Sequence, residues 1–161
     1  VIRITAGLAV VWHKYTMANV GPKANILKVS ARLKKSLEDL GAVETLSPKS
    51  SLFHFDQEPM GVYLVMKGKV RLSLPELPKL DRIFGPGSLL GLPATFTGHP
   101  YSLAATSITE AEVLHVERQK FLELMATQAD LCREAADILS REVSFIQGAL
   151  AERRRAKLVP A

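Results

Sequence analysis

Two hydrophobic periods divide this chain. From Ile26 to Leu40 apolar residues recur at helical spacing, with Leu33, Leu37 and Leu40 on one face and Lys34 and Lys35 on another. Gly41 follows where a helix C-cap belongs. From Ser51 the period shortens to that of strands. Leu52–Phe55 is a strand candidate, Gln57-Glu58-Pro59 a turn, and Gly61–Met66 a buried strand. Lys67-Gly68 then turns the chain into Lys69–Leu74, which alternates charged and apolar residues as a half-exposed strand does. Pro75 and Pro78 end that strand. Leu80–Phe84, Leu103–Ser107 and Ala111–Val116 supply further short strands, after which the helical period returns. Gln119–Met125 predicts a short helix, and Asp130 to about Arg155 a long one.

Many short strands at close spacing, with no parallel βαβ pattern, predict a mainly β fold. The expected architecture is a double-stranded β-helix, or jelly roll, with a short N-terminal helix and a long C-terminal helix. Residues 1–22 read as an N-terminal extension without a fold element, and 23–161 as one domain. Within it the barrel is expected at about 45–117 and the C-terminal helices at about 118–156.

One stretch stands apart. After Arg82-Ile83-Phe84 the chain turns on Gly85-Pro86-Gly87, runs apolar, and reaches Gly91-Leu92-Pro93. Proline suits the first helical turn, where its missing N–H has no partner to lose. A helix start aims free N–H groups and a partial positive charge at what lies before it, so it can hold an anion. Tyr101 and Ser102 return towards the same place as the next strand begins. Gly91, Leu92, Pro93, Ala94, Tyr101 and Ser102 are therefore the candidate ligand-binding residues.

The long helix carries two adjacent apolar rows. Cys132, Ala136, Leu139, Val143, Ile146 and Leu150 alternate four and three apart; Leu131, Ala135, Ile138, Phe145 and Ala149 form the second row, broken by Glu142. Two rows suggest that one packs on the barrel and the other on a second copy of the helix, making a homodimer.

Composition narrows the class. Of 161 residues, 47% are hydrophobic and 23% charged, as in an ordinary globular domain. The single cysteine excludes an internal disulfide and makes the reducing cytoplasm the simplest compartment. The net charge of +5 is uneven: residues 1–40 carry seven Lys/Arg against two acids, and 141–161 five against two. The middle carries nine against twelve. Solvated helix faces account for such ends, although basic ends can also touch an anionic surface. No run approaches the ~18–20 apolar residues of a membrane span. Val1–Trp12 is apolar with one early cation, faintly like a signal peptide, but lacks a convincing small-residue cleavage site. Met17 offers a start of its own, with 1–16 as upstream sequence.

Three segments together resemble the cyclic-nucleotide-binding domains. Gly61–Leu72 resembles that family's paired strands about a hallmark glycine, here Gly68. Phe84–Gly91 resembles the approach to its phosphate-binding cassette. Ala111–Val116, followed by Arg118 and Phe121, resembles its last strand and the step into the lid helices. The similarity covers roughly 45–150 and is nearest in character to the sensor half of Crp/Fnr-type bacterial regulators. It implies an eight-stranded jelly roll with a dimerising helix and cyclic AMP or cyclic GMP as ligand.

Two positions depart from the family's pattern. Where the cassette usually has an acid on the ribose hydroxyl, this chain has Leu92; where it has an arginine on the cyclic phosphate, this chain has Tyr101. Charge-assisted hydrogen bonds are worth roughly 1.5–3 kcal/mol each, so losing two costs ~3–6 kcal/mol of binding. The resemblance then implies a weakened site or a different small anion. With the chain ending at Ala161, soon after Arg153-Arg154-Arg155, the helix-turn-helix of a Crp/Fnr regulator is not expected in it.

No catalytic constellation is legible. His13, His54, His99 and His115 are not paired at metal-ligand spacing, and neither a Gly-x-Ser-x-Gly nor a Walker loop is present. The expected protein is a non-catalytic sensing module that signals through its C-terminal helix. Two alternatives stay open: a ligand-free dimerisation scaffold, or a truncated Crp/Fnr regulator. An open or a filled space between Leu92, Tyr101 and Ser102 separates the first two.

Overall fold

The structure is a computed structural model and describes residues 28–74, 76 and 81–158. The Val1–Trp12 run, Met17, His13, Ile26, Leu27, Pro75, Pro78 and Leu80 lie outside the described residues.

Helix α1 spans Ala31–Leu40, so Val29 precedes it rather than opening it. Its start is fixed by Ser30, whose hydroxyl accepts the Leu33 N–H at 3.1 Å. Leu33 and Leu37 are fully buried. Gly41 does close the helix, its N–H donating to the Leu37 carbonyl, but with extended backbone and not in a left-handed cap. Glycine is needed there for space: a Cβ would lie 2.6 Å from the His115 carbonyl oxygen.

Eight strands follow among the described residues: β1 (Ala42–Leu46), β2 (Ser51–Phe53), β3 (Gly61–Lys67), β4 (Val70–Ser73), β5 (Arg82–Phe84), β6 (Leu89–Leu90), β7 (Ala104–Ser107) and β8 (Ala111–Glu117). They form two four-stranded antiparallel sheets, ordered β1-β8-β3-β6 and β2-β7-β4-β5. Helix α2 (Leu92–Thr97) interrupts the strands; α3 (Arg118–Thr127) and α4 (Ala129–Leu158) end the chain. This is the expected mainly β jelly roll with a short N-terminal and a long C-terminal helix.

Strand β1 was not legible in the sequence. Four of its five residues are exposed, so no alternation marks it; pairing with β8, Val43 opposite Leu114, makes it a strand. Among the described residues the first strand begins at Ala42.

Strand β3 sits between β8 and β6 and sorts the interior by the two-residue period of a strand. Val62 and Leu64 turn to the helices. There they join Leu33 and Leu37 of α1, Leu89, Leu92, Leu114 and Val116, Phe121 and Met125 of α3, and Leu131, Ala135 and Ile138 of α4. The alternate residues, Tyr63 and Val65, are buried but stand apart from that cluster. They face the space between the sheets.

Leu27–Arg141 is one compact unit, and the helix from Glu142 onward belongs to a second. In the first, α1 is tied to α4 at its start: the Glu134 carboxylate accepts from the Ser30 N–H at 2.6 Å and its hydroxyl at 2.8 Å, while Arg32 pairs with Asp130. Of the two apolar rows, Leu131, Ala135 and Ile138 are buried and Cys132 and Leu139 partly so. Ala136 is exposed. In the second unit, Val143 and Leu150 are exposed and Ile146 is half-buried. Among the described residues no helix is long and apolar enough to cross a membrane.

Candidate functional site

The cassette is built around one backbone conformation. Gly91 leaves β6 at φ +86°, a left-handed geometry, and its carbonyl receives both the N–H of Thr95 at 3.1 Å and the Thr95 hydroxyl at 2.8 Å. That closes the first turn of α2, with Pro93 inside it as expected. A Cβ on Gly91 would stand 3.0 Å from the Gly61 carbonyl oxygen and 3.2 Å from Cε1 of Tyr101. Only glycine meets both demands. The helix is six residues long, so its dipole is small, and Pro93 removes one of its first-turn donors.

Tyr101 fills the position beside this turn. The loop after β2 holds its backbone, with the Asp56 N–H donating to the Tyr101 carbonyl at 2.8 Å and the Tyr101 N–H donating to Gln57 at 2.9 Å. The side chain is buried and its ring lies on Phe53, centroids 4.0 Å apart and planes 13° apart. The hydroxyl donates to the Gly61 carbonyl at 2.8 Å and accepts from the N–H groups of Met60 at 3.0 Å and Gly61 at 3.2 Å. A phenol has one donor and two acceptor lone pairs, and all three are used.

Aromatic contacts continue from there. Phe53 meets Tyr63 at 5.7 Å, and Tyr63 stacks on His115 at 4.7 Å. His115 Nε2 lies 2.9 Å from the Met60 carbonyl oxygen, and its Nδ1 is 3.9 Å from Glu44. Burial pushes the Tyr63 hydroxyl up to about 12, with Tyr101 and the Glu44 charge adding to it. Burial also raises Tyr101 against the opposing pull of its bonds from Met60 and Gly61. Both phenols are neutral at pH 7.

The structure places the six sequence-derived candidates in different surroundings. Gly91 and Tyr101 meet. Leu92 is fully buried in the cluster that includes the helices. Ala94 is buried, Pro93 half-buried and Ser102 exposed. The residues that surround Tyr101, namely Phe53, Met60 and Gly61, were not singled out in the sequence. Met60 and Gly61 act through backbone groups, which no side chain advertises. Tyr63 had a signal, since it is out of phase with Val62 and Leu64 on β3.

The cassette is linked to the helices that follow. Arg118, opening α3, donates from Nε to the Thr95 carbonyl at 2.9 Å, and Phe96 of α2 packs edge-on against Phe121 at 5.6 Å. Among the described residues no buried side-chain N or O lacks a hydrogen-bond partner. The residues present therefore do not fit a cyclic nucleotide held by charge. Leu92 lies in the core, Tyr101 brings no charge, and its hydroxyl already occupies the polar backbone groups beside it.

Comparison with known proteins agrees with this architecture. Residues 43–128, over half the chain, match the model of the cyclic nucleotide-binding domain family. The chain is 28% identical over 114 residues to the HTH-type transcriptional regulator Cmr of Mycobacterium tuberculosis, covering 65% of this chain and 44% of the relative. The chain thus spans less than half the length of that curated relative. Among solved structures it is similar in fold to the catabolite activator protein of Thermus thermophilus, with TM-score 0.67 and 21% identity over 83% of this chain and 63% of that one. A protein solved in work on a cyclic-GMP-dependent pathway of bacterial phytopathogenesis gives TM-score 0.63 at 18% identity, over 74% and 94% of the two chains.

Proposed function

Because this chain belongs to the cyclic nucleotide-binding domain family, we propose that it is a non-catalytic regulatory module of the Crp/Fnr type. Its cassette is closed by its own side chains, so cyclic AMP and cyclic GMP are not held in the charge-paired manner. The observation that carries this reading is the Tyr101 hydroxyl, which saturates the Met60 and Gly61 backbone groups from inside the fold. The likeness to a helix-turn-helix transcriptional regulator supports a role as the sensor half of such a protein.

Output runs through α4. The row Cys132, Ala136, Leu139, Val143, Ile146 and Leu150 is the proposed homodimer face, favoured by the exposure of Val143 and Leu150. Apolar side chains at heptad-like spacing gain by burial against a second helix.

Titration calorimetry of the chain with cyclic AMP and cyclic GMP tests the closed cassette. No saturable heat up to millimolar nucleotide is the expected result, and micromolar binding would overturn it.

A further inference from the structure

We propose that the interior position filled by Tyr101 is a binding site for a neutral phenol, with Tyr101 as its built-in occupant. The proposal rests on the closed-cassette reading above and goes further by naming the chemistry that the position selects.

Each feature of the site matches one feature of a phenol. The Phe53 ring, at 4.0 Å and nearly parallel, is a platform for an aromatic face. The Gly61 carbonyl takes a hydroxyl hydrogen, and the Met60 and Gly61 N–H groups supply its two acceptor positions. Among the described residues no charged side chain bonds to that hydroxyl, and burial favours its protonated form over a phenolate. An anion would leave the Gly61 carbonyl facing negative charge; a hydrocarbon would forfeit the three hydrogen bonds that the hydroxyl makes. A neutral hydroxyl on an aromatic ring satisfies the whole set.

Occupancy of this position is also transmitted. The Tyr101 ring bears on Gly91, as the 3.2 Å approach of a Cβ there would reveal. Gly91 is held by Thr95, and the Thr95 carbonyl by Arg118 at the head of α3. A phenol in place supports the turn that sets α2, and α2 is bonded to the first residue of α3. Tyr101 thereby keeps the module in one filled arrangement without a diffusible ligand.

Chemical rescue tests this. In the 161-residue chain, Tyr101→Ala is expected to speed amide hydrogen exchange in Leu92–Thr97 at least about tenfold. Millimolar p-cresol is expected to reverse most of that and to raise the melting temperature; toluene and inorganic phosphate are expected to do neither. Equal rescue by toluene, rescue by phosphate, or no change in exchange would each overturn the proposal. If Tyr101→Ala does not fold, Tyr101→Phe decides. Faster exchange at Met60 and Gly61 supports the hydroxyl's role, and unchanged exchange there overturns it. Cyclic AMP is titrated in parallel into the unsubstituted chain. Micromolar binding there overturns the closed-cassette reading and this proposal with it, whereas silence with cyclic AMP and failure of p-cresol overturns only the phenol site.

Discussion

The cassette interior and the outer row of α4 are opposites. Around Tyr101 each polar backbone group has a partner from the same chain, and the aromatic rings stack on one another. Along α4, Val143 and Leu150 are 43% and 39% exposed, with part of their apolar surface left to water. Burying such surface yields roughly 25 cal/mol per Å², while opening the interior costs about 1–3 kcal/mol for each group left unpaired. The difference is that the polar groups around Tyr101 are partnered within the chain, whereas Val143 and Leu150 keep apolar surface exposed.

The strongest way to break the contrast is to charge the closed side. Leu92→Glu restores the residue type of an ordinary cassette, yet here it places a carboxylate in the core with α1, α3 and α4. It is expected to destabilise the fold by about 3–5 kcal/mol, read from urea unfolding, and to gain no nucleotide affinity. A small change in stability would mean that Leu92 can turn out to solvent.

Charging the open side should spare the fold. Val143→Glu is expected to halve the mass in solution by light scattering while the protomer's own unfolding free energy changes by no more than about 0.5 kcal/mol. An unchanged mass would remove that row as the dimer face.

Alkaline pH sharpens the contrast more gently. Tyr63 ionises near 10 in the unfolded chain and at about 12 when folded, with Tyr101 also raised. Above pH 10 the unfolded chain releases these protons first. Stability is therefore full below about pH 10 and falls from there through about pH 12. Unfolding free energies measured from pH 9 to 12 should show this loss, and Tyr63→Phe should flatten part of it. A flat profile in the unsubstituted chain would mean that the phenols are not held as described.

Much of the architecture was readable where the local pattern and the final burial agree. The continuous apolar run of β3, the alternation of β4 and the helical period of α1 all kept their elements. Strand β1 was not readable because an edge strand exposed on both faces has no period. The cassette turn was readable from Gly91-Leu92-Pro93, because a positive φ followed by a proline is a local demand. Which side chains point into it was not. Leu92 joins the apolar cluster that includes the helices, whereas Tyr101 stacks on Phe53 and bonds Met60 and Gly61.

The sequence by itself determined the helix at each end and most of the strands between, the turn at Gly91, the missing charges at positions 92 and 101, and two apolar rows on the long helix. Each depends on residues close in the chain, where backbone sterics and side-chain period act directly. Only the tertiary structure decided that Tyr101 turns inward onto Phe53 and bonds Met60 and Gly61, forty residues away. It also decided that Leu131, Ala135 and Ile138 are the buried row. These outcomes rest on which surfaces meet across the fold, and a meeting of distant surfaces leaves no period in the chain.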